Sequence, residues 1–324
     1  MTSLAIFAVL VLAATQERVE GPNAISLPSQ NPLVTEADTH YARRQDGRVG
    51  ARANPREIAQ AVAGYDRASE APDNAEARWK LARALYFRAA YTEQDAGAQE
   101  AIYDKACRAG EEAIRILERR ARNRGVASFE GRSPADVAAA VVSDRDAAPS
   151  FFWTAVAWGQ WALLSGKMKA ARTGAAEKIR DYASIVIALD PEFEEGGGYR
   201  ILGRLHHQAP KIPFLTSWVS RDKALENLRR AVAVNGRNFV NRHFLAEALA
   251  DGGPAERAEA VQIEESLVAD APSPGHLVED LSIQEEARKN LANWKKCQQR
   301  DPAPPVILCE AKDPPRSSRA RRRV

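Results

Sequence analysis

Apolar and small residues recur along this chain at intervals of three and four, in runs long enough to form helices. In the stretch EGGGYRILGRLHHQAP they are Tyr199, Leu202, Gly203 and His206. A second set follows in SRDKALENLRRAVAVNG, with members Ala224, Leu228, Ala231 and Gly236. These spacings put side chains on one helical face, and Gly and Ala let two helix axes approach closely. The pattern therefore predicts two antiparallel helices packed through that face.

The same spacing returns in other parts of the chain. The further positions are Ala61, Tyr65, Ala68, Trp79, Ala82, Tyr86, Trp153, Val156, Ala157, Leu245, Ala246, Leu249 and Ala258. Alternating runs of Val, Ile and Thr, which would favour strands, are nearly absent. We therefore expect about four helical hairpins between residues 55 and 272 and a closing helix from His276 to about Cys297.

This arrangement resembles the tetratricopeptide repeat, a unit of about 34 residues that forms two antiparallel helices. Its first helix carries a Trp, a Leu-Gly pair and a Tyr at these spacings, and its second carries alanines around a bulky residue. The resemblance implies an all-α fold, a tetratricopeptide-like α-solenoid of about four helical hairpins plus a C-terminal helix. The repeat domain should span residues 55–297, with an irregular insertion at 125–149 that is rich in Gly, Ser, Pro and Asp.

The two ends of the chain differ from this domain. MTSLAIFAVLVLAATQ has the short apolar core and the small residues of a signal peptide, although it lacks a basic start, so residues 1–15 predict export to the periplasm or beyond. The alternatives are a buried helix or a misplaced start codon in a cytoplasmic protein. Polar residues 16–54 are expected to form a poorly ordered lead-in, and residues 298–324 a disordered basic tail.

The charge of the chain is concentrated in that tail. The full sequence has a formal net charge of +3, and from Arg300 onward seven basic residues face three acidic ones. The tail therefore carries +4, which leaves −1 for the rest. A near-neutral folded part removes the electrostatic reason to expect nucleic-acid binding there. Contact of the tail with nucleic acid or anionic lipid is the less favoured alternative to a solvated end.

Residues with candidate chemistry have simpler structural explanations. Gly196–Gly198 follow Asp-Pro rather than a strand and match no phosphate-loop pattern, so we expect a turn or a close helix approach. His206 occupies a repeat position, and the ring of His207 points about 100° away from it around the helix. The cysteines Cys107, Cys297 and Cys309 form no CxxC pair. We predict no catalytic residues, no cofactor and no metal site; a His-dependent enzyme is the weaker alternative.

Two aromatic segments are candidate contact regions for a partner or ligand. One is the helix that carries Trp153, Trp158 and Trp161, whose positions spread over more than one face. Packing in the core is the simpler explanation for most of these rings. The other is the insertion PKIPFLTSW, about nine residues longer than a hairpin turn requires, with apolar residues Ile212, Phe214, Leu215 and Trp218. They either meet a partner or fold back onto the solenoid's own core.

The motifs WTAVAWGQWALLSG, ALDPEFEEGGGYRILGRLHHQAP and DKALENLRRAVAVN resemble those of the TRAP-transporter-associated tetratricopeptide (TatT) family. They are also similar to the eukaryotic regulators of microtubule dynamics. The likeness covers residues 149–250 and implies a periplasmic helical-repeat protein that associates with a transporter substrate-binding subunit. The chain lacks that family's lipoprotein cysteine. We expect a non-catalytic scaffold for a protein partner, with a binder of a small hydrophobic ligand in the solenoid groove as the alternative.

Overall fold

The computed structural model describes residue 29, residues 31–212, residue 214 and residues 216–300, with side chains given up to residue 294. This part of the chain is mainly helical and contains no β-strand. Its helices are α1 (Pro32–Ala42), α2 (Pro55–Ala68), α3 (Ala75–Tyr91), α4 (Ala96–Asn123), α5 (Pro134–Val141), α6 (Ala147–Ser165), α7 (Lys167–Arg172), α8 (Ala175–Leu189), α9 (Phe193–Gln208), α10 (Arg221–Val234), α11 (Phe239–Ala250), α12 (Pro254–Ala269) and α13 (Leu277–Arg300).

The helices form a solenoid of stacked pairs, so the predicted all-α fold is confirmed. The pairs are α1 with α2, α3 with α4, α6 with α8, α9 with α10, and α11 with α12, and α13 packs on the last pair. The first helices of successive pairs also touch, from α3 to α6, α6 to α9, α9 to α11 and α11 to α13. Their facing sides form what we term the inner face of the solenoid, and the second helices lie outside it.

The pair α1–α2 was not expected, because its first helix falls within the predicted lead-in. Asn31 caps α1 with its side chain, and Pro32 occupies the first turn, where a missing N–H costs nothing. Val34 and Ala37 are buried against α2, where Ala37 approaches Gly64 closely. Residues 31–54 therefore belong to the folded domain, and the lead-in prediction is wrong for them.

Small residues set the spacing within the α9–α10 pair, as predicted. Ala224, Leu228 and Ala231 are fully buried on α10. A Cβ added to Gly203 on α9 would lie 2.5 Å from Leu228 Cγ, so only glycine fits there. Tyr199 is only partly buried on the same helix. Of the predicted positions on α9, Gly203 therefore makes the close approach to α10, and Tyr199 does not.

The insertion between the second and third pairs is partly helical. Ser133 caps α5 through a bond to the Asp136 amide, and Val137, Ala138 and Val141 bury its apolar side, which packs on α8. The rest of the predicted irregular stretch consists of turns, and α6 begins within it at Ala147.

The two ends of the solenoid meet. Arg44 donates to the Gly275 carbonyl at 2.8 Å and to Glu279 at 3.0 Å, and the Val278 amide donates to Gln45 at 2.8 Å. Val278 is fully buried in the same apolar cluster as α2 and α3. These contacts close the stack of hairpins, so the inner face is not an open trough along its whole length.

No helix among the residues with assigned structure is both long and apolar enough to cross a membrane. The predicted signal peptide, residues 1–15, lies outside the described residues, as do residues 301–324 of the predicted tail.

Candidate functional site

The three tryptophans of the aromatic helix α6 lie in two different environments. Trp158 and Trp161 are buried, with 9% and 5% of their surface exposed, and their rings meet edge to face at 5.2 Å. Trp153 is only partly buried and contacts Tyr86 of α3 at 5.8 Å between ring centroids. The structure therefore places Trp153 on the inner face. It places Trp158 and Trp161 away from that face, where α6 packs against α4 and α8.

Charged side chains connect this buried pair of tryptophans to α4. Trp158 Nε1 donates to Glu111 at 3.0 Å, and Lys178 bonds the same carboxylate at 2.6 Å while its ammonium lies 4.0 Å from the Trp158 ring. The Lys169 ammonium lies over the Trp161 ring in the same way, and it bonds Glu100 of α4 at 2.7 Å. Cation–π contact and charge pairing together hold these indoles as structural groups.

The insertion after α9 divides into an anchored part and an exposed tip. Trp218 packs edge to face on His206 at 5.4 Å and lies under the Arg180 guanidinium at 4.8 Å. Thr216 is buried and accepts a bond from the Ile212 amide at 2.9 Å. Phe214, in contrast, is completely exposed and has a φ of 64°. Leu215, the remaining predicted contact residue of this loop, lies outside the described residues.

Other exposed apolar side chains lie at the same edge of the solenoid. In every pair the first helix ends, and the second helix begins, at this edge of the solenoid. The end of α6, helix α7 and the loop between α9 and α10 therefore all lie there. Leu163, Leu164 and Met168 are 59%, 37% and 66% exposed. Together with Phe214 they make up half of the eight large apolar residues that are exposed in the described part of the chain. We term these four residues the apolar edge.

A second unusual group lies on the inner face. The Arg83 guanidinium of α3 lies 3.9 Å from the ring centroid of Tyr41 and 5.1 Å from that of Trp79. Arg83 Nε and Trp153 Nε1 are shielded from solvent, yet neither finds a hydrogen-bond partner among the residues that the structure describes. Tyr41, Arg83, Tyr86 and Trp153 are all partly exposed, although they lie between helices. We term these four residues the inner cluster.

A strained turn borders the inner cluster at the start of α9. Glu194, Glu195 and Gly196 have φ values of 48°, 59° and 82°. The left-handed region costs a non-glycine residue about 1–2 kcal/mol. Asn241 of α11 is fully buried and offsets part of that cost, because its amide donates to the Glu195 carbonyl and its oxygen accepts from Arg200 at 2.8 Å. The predicted role of the glycine run, a turn and a close approach, agrees with this geometry.

The histidines have structural partners. His206 Nδ1 accepts a bond from the Ser220 amide at 3.2 Å, and burial lowers its pKa, helped by the charges of Lys223 and Arg180. His207 bonds Asp251 at 3.0 Å on the other side of the helix. His243 is fully buried beside Glu264 at 3.0 Å. No group of three or more His, Cys, Asp or Glu suited to a metal ion occurs in the described ranges.

Sequence reasoning identified the tryptophan helix and the insertion but not the inner cluster. Its signal was present in ARWKLARALYF, where Trp79, Arg83 and Tyr86 are spaced by four and three and therefore share one helical face. An arginine between two aromatic residues on such a face breaks the apolar pattern. Its pairing with Tyr41 could not have been found, because that helix was not predicted.

No protein-family model matches the sequence, and no curated protein matches it. The assignment to a family therefore stays a prediction.

Proposed function

We propose that this protein is a non-catalytic helical-repeat scaffold that binds a protein partner through its apolar edge. The observation that carries the proposal is Phe214, which is 100% exposed at the tip of a loop that is otherwise anchored by Trp218 and Thr216. A fully exposed aromatic side chain on an anchored loop is in position to enter a pocket of a partner, as interface anchors do. Leu163 and Met168 would extend the contact.

The nature of the partner follows from the family resemblance alone. The TatT-like motifs lead to the proposal of a transporter substrate-binding subunit. This proposal requires that the protein itself be exported. N-terminal sequencing of protein recovered from its native cells tests the export. A mature chain that begins near residue 16 supports export, whereas an intact Met1 in the cytoplasm contradicts it.

Site-specific photo-crosslinking tests the apolar edge. A photoreactive phenylalanine analogue is placed at position 214, and at Val142 as a control, because Val142 is also apolar and 68% exposed but follows α5 at a distant part of the chain. The proposal expects a crosslink to the co-expressed substrate-binding subunit from position 214 and none from 142. Equal crosslinking at both positions, or none at either, would show that this edge does not bind that subunit.

The inner cluster favours a second candidate, a binder of a small, largely apolar ligand. Arg83 lies against the rings of Tyr41 and Trp79, and Trp153 lies against that of Tyr86. Arg83 Nε and Trp153 Nε1 are two N–H donors without partners in the described part of the chain. A ligand with an acceptor atom and an apolar body would satisfy both features. The closure of the solenoid by Arg44 and Glu279 suits a small ligand better than a peptide laid along the inner face.

An environment-sensitive dye tests this second candidate. Anilinonaphthalene sulfonate has an apolar ring system and an acceptor group, so its fluorescence should rise on binding, and Trp153→Phe should weaken that binding several-fold. Trp294→Phe is the control, because Trp294 lies beside a different apolar cluster. Equal dye binding by both variants and the unmodified protein would remove the inner cluster as a ligand site.

A further inference from the structure

Buried polar atoms without hydrogen-bond partners are concentrated in one region of this protein. In the part of the chain that the structure describes, seven buried side-chain nitrogen and oxygen atoms lack a partner. Four of them belong to the inner cluster or to the junction of the two solenoid ends, namely Arg44 Nε, Arg83 Nε, Trp153 Nε1 and Glu279 Oε2. We term these the four unpaired atoms. Buried polar atoms are almost always satisfied in native proteins, so their concentration here needs an explanation.

Three of the four unpaired atoms lie around the ring of Tyr41. The guanidinium carbons of Arg83 and Arg44 lie 3.9 and 4.8 Å from its centroid. Arg44 Nη2 donates to Glu279 Oε1 at 3.0 Å, which leaves the second oxygen of that carboxylate unpaired. Arg44 is more than nine-tenths buried, with 8% of its surface exposed. A buried charged group that is incompletely paired is costly, so a ligand that supplied the missing partners would bind with a gain.

Tyr86 connects Trp153 to this arrangement. Its ring centroid lies 5.8 Å from that of Trp153, and it shares one face of α3 with Arg83, three residues away. Glu279 is near enough to Tyr86 to interact with it electrostatically, as it is to Tyr41. The four unpaired atoms therefore belong to one site.

The formal charges at this site are balanced. Three guanidinium groups are matched by three carboxylates, those of Arg44, Arg83, Arg200, Glu194, Glu195 and Glu279. Arg44 pairs with Glu279 directly. Glu194 interacts electrostatically with both Arg83 and Arg200, and Glu195 with Arg200. A charged ligand would upset this balance in a site largely shielded from water, so the site favours a neutral one.

The hydrogen-bonding requirements of the four unpaired atoms are mixed. The three nitrogens are N–H donors and need an acceptor, whereas the carboxylate oxygen of Glu279 is an acceptor and needs a donor. A carboxamide is a neutral group that carries both, because its carbonyl oxygen accepts and its N–H donates. A carboxylate or a simple ketone lacks the donor, and an amine lacks the acceptor.

We propose that the inner cluster binds a neutral amide with an aromatic or other apolar body. The carbonyl oxygen of the ligand accepts from the unpaired nitrogens, and its N–H donates to Glu279 Oε2. Its apolar body lies against the rings of Tyr41 and Tyr86, as in other sites where a few polar groups orient an apolar ligand. This inference rests on the second candidate function proposed above and names the class of ligand that this site would take.

A ligand-observed NMR titration of the full-length protein tests the ligand class. The probes are benzamide and acetophenone, which differ only in that a methyl group replaces the amide NH2. We expect benzamide to bind at least tenfold more tightly, because acetophenone leaves Glu279 Oε2 without a donor. Glu279→Gln should reduce this preference below threefold, since a glutamine that keeps its carbonyl bond to Arg44 presents N–H groups to the ligand. Glu285→Gln makes the same change at an exposed residue of α13 and should leave the preference unaltered.

Four results would overturn the inference. Equal binding of the two probes would remove the amide, and an equal loss of preference in both variants would remove Glu279 as its acceptor. Tighter binding of benzoate than of benzamide would identify an anionic ligand. Binding of neither probe would show that water alone satisfies the four unpaired atoms.

The dye experiment on Trp153→Phe separates these failures from failure of the ligand site itself. Dye binding that depends on Trp153, together with no preference for benzamide, would keep the site and exclude the amide. If the circular dichroism melt shows that Glu279→Gln does not fold, the comparison of the two probes on the unmodified protein still decides. Arg83→Lys then replaces the variant, because it keeps the charge but removes an unpaired Nε, and it should weaken benzamide at least fivefold.

Discussion

Gly203 on α9 and Leu228 on α10 lie so close that a methyl group at position 203 would meet the leucine side chain at 2.5 Å and its backbone nitrogen at 3.0 Å. Gly203→Ala should therefore destabilise the protein. The gain in helix propensity, about 0.5–1 kcal/mol, is smaller than the overpacking cost, about 1–3 kcal/mol. Chemical denaturation would show a lower midpoint at an unchanged slope.

Gly159→Ala is the matched control, because Gly159 lies within α6 and nothing stands within 4 Å of the position its Cβ would occupy. This substitution should leave stability unchanged or raise it by up to about 1 kcal/mol. If both variants lose equal stability, close contact at Gly203 does not set the spacing of this hairpin.

Asn241 joins three helices through one fully buried amide. Its Nδ2 donates to the carbonyls of Glu195 and Ala231, both at 2.9 Å, and its Oδ1 accepts from Arg200. Asn241→Leu removes all three bonds from a fully buried position, although the Ala231 carbonyl keeps a bond from the Asn235 amide and Arg200 keeps one to the Glu194 carbonyl. We therefore expect a loss of about 2–3 kcal/mol in unfolding free energy. Asn227→Leu, which removes a bond only to Lys223 within its own helix, should cost less than about 0.5 kcal/mol. Similar losses in both variants would contradict this role for Asn241.

The buried pair of His243 and Glu264 should make stability depend on pH. Burial alone would lower the pKa of His243, but the bond to Glu264 and the nearby carboxylates of Glu286 and Glu247 outweigh it and raise the pKa to about 9. The ordinary value is 6.5. A pKa raised on folding stabilises the protein fully below pH 6.5, and that contribution is lost as the pH rises through about 9. It amounts to roughly 3 kcal/mol.

Urea denaturation between pH 6 and pH 10 measures this effect. The double variant His243→Gln/Glu264→Gln lacks the titrating pair but keeps the other ionisable groups. The difference in unfolding free energy between the unmodified protein and the variant should favour the unmodified protein more at pH 6 than at pH 10. A difference that is constant over this range would show that His243 is not held in its charged form.

The sequence predicted the parts of this fold that depend on spacing along one helix. Gly203, Ala224 and Leu228 could be found because each helical face repeats every three or four residues. The apolar spacing of α1 was not recognised, because Val34 and Ala37 are its only buried residues in a polar stretch. The pairing of Arg83 with Tyr41 depends on how hairpins stack, and a single sequence contains no periodic signal for contacts of that kind.

The contact between the two ends of the solenoid leads to a prediction about amide exchange. Val278 is the second residue of α13, so its N–H has no acceptor within its own helix. It donates instead to Gln45 Oε1, which is 233 residues away in sequence, and the Gln45 amide group donates in turn to the Gly275 carbonyl at 3.1 Å. Gln45→Ala should therefore speed hydrogen exchange at the Val278 amide at least tenfold, while α6 and α9 keep their protection.

Gln60→Ala provides the comparison, because Gln60 is an exposed glutamine of the same first hairpin. Exchange at Val278 should be unchanged in that variant. Closure of the solenoid requires that protection at Val278 depend on the first hairpin, since a helix end protected by its own turn would not respond to residue 45. If exchange at Val278 is equally fast in the unmodified protein and in Gln45→Ala, the two ends do not hold each other in solution, and the inner face is open to longer ligands.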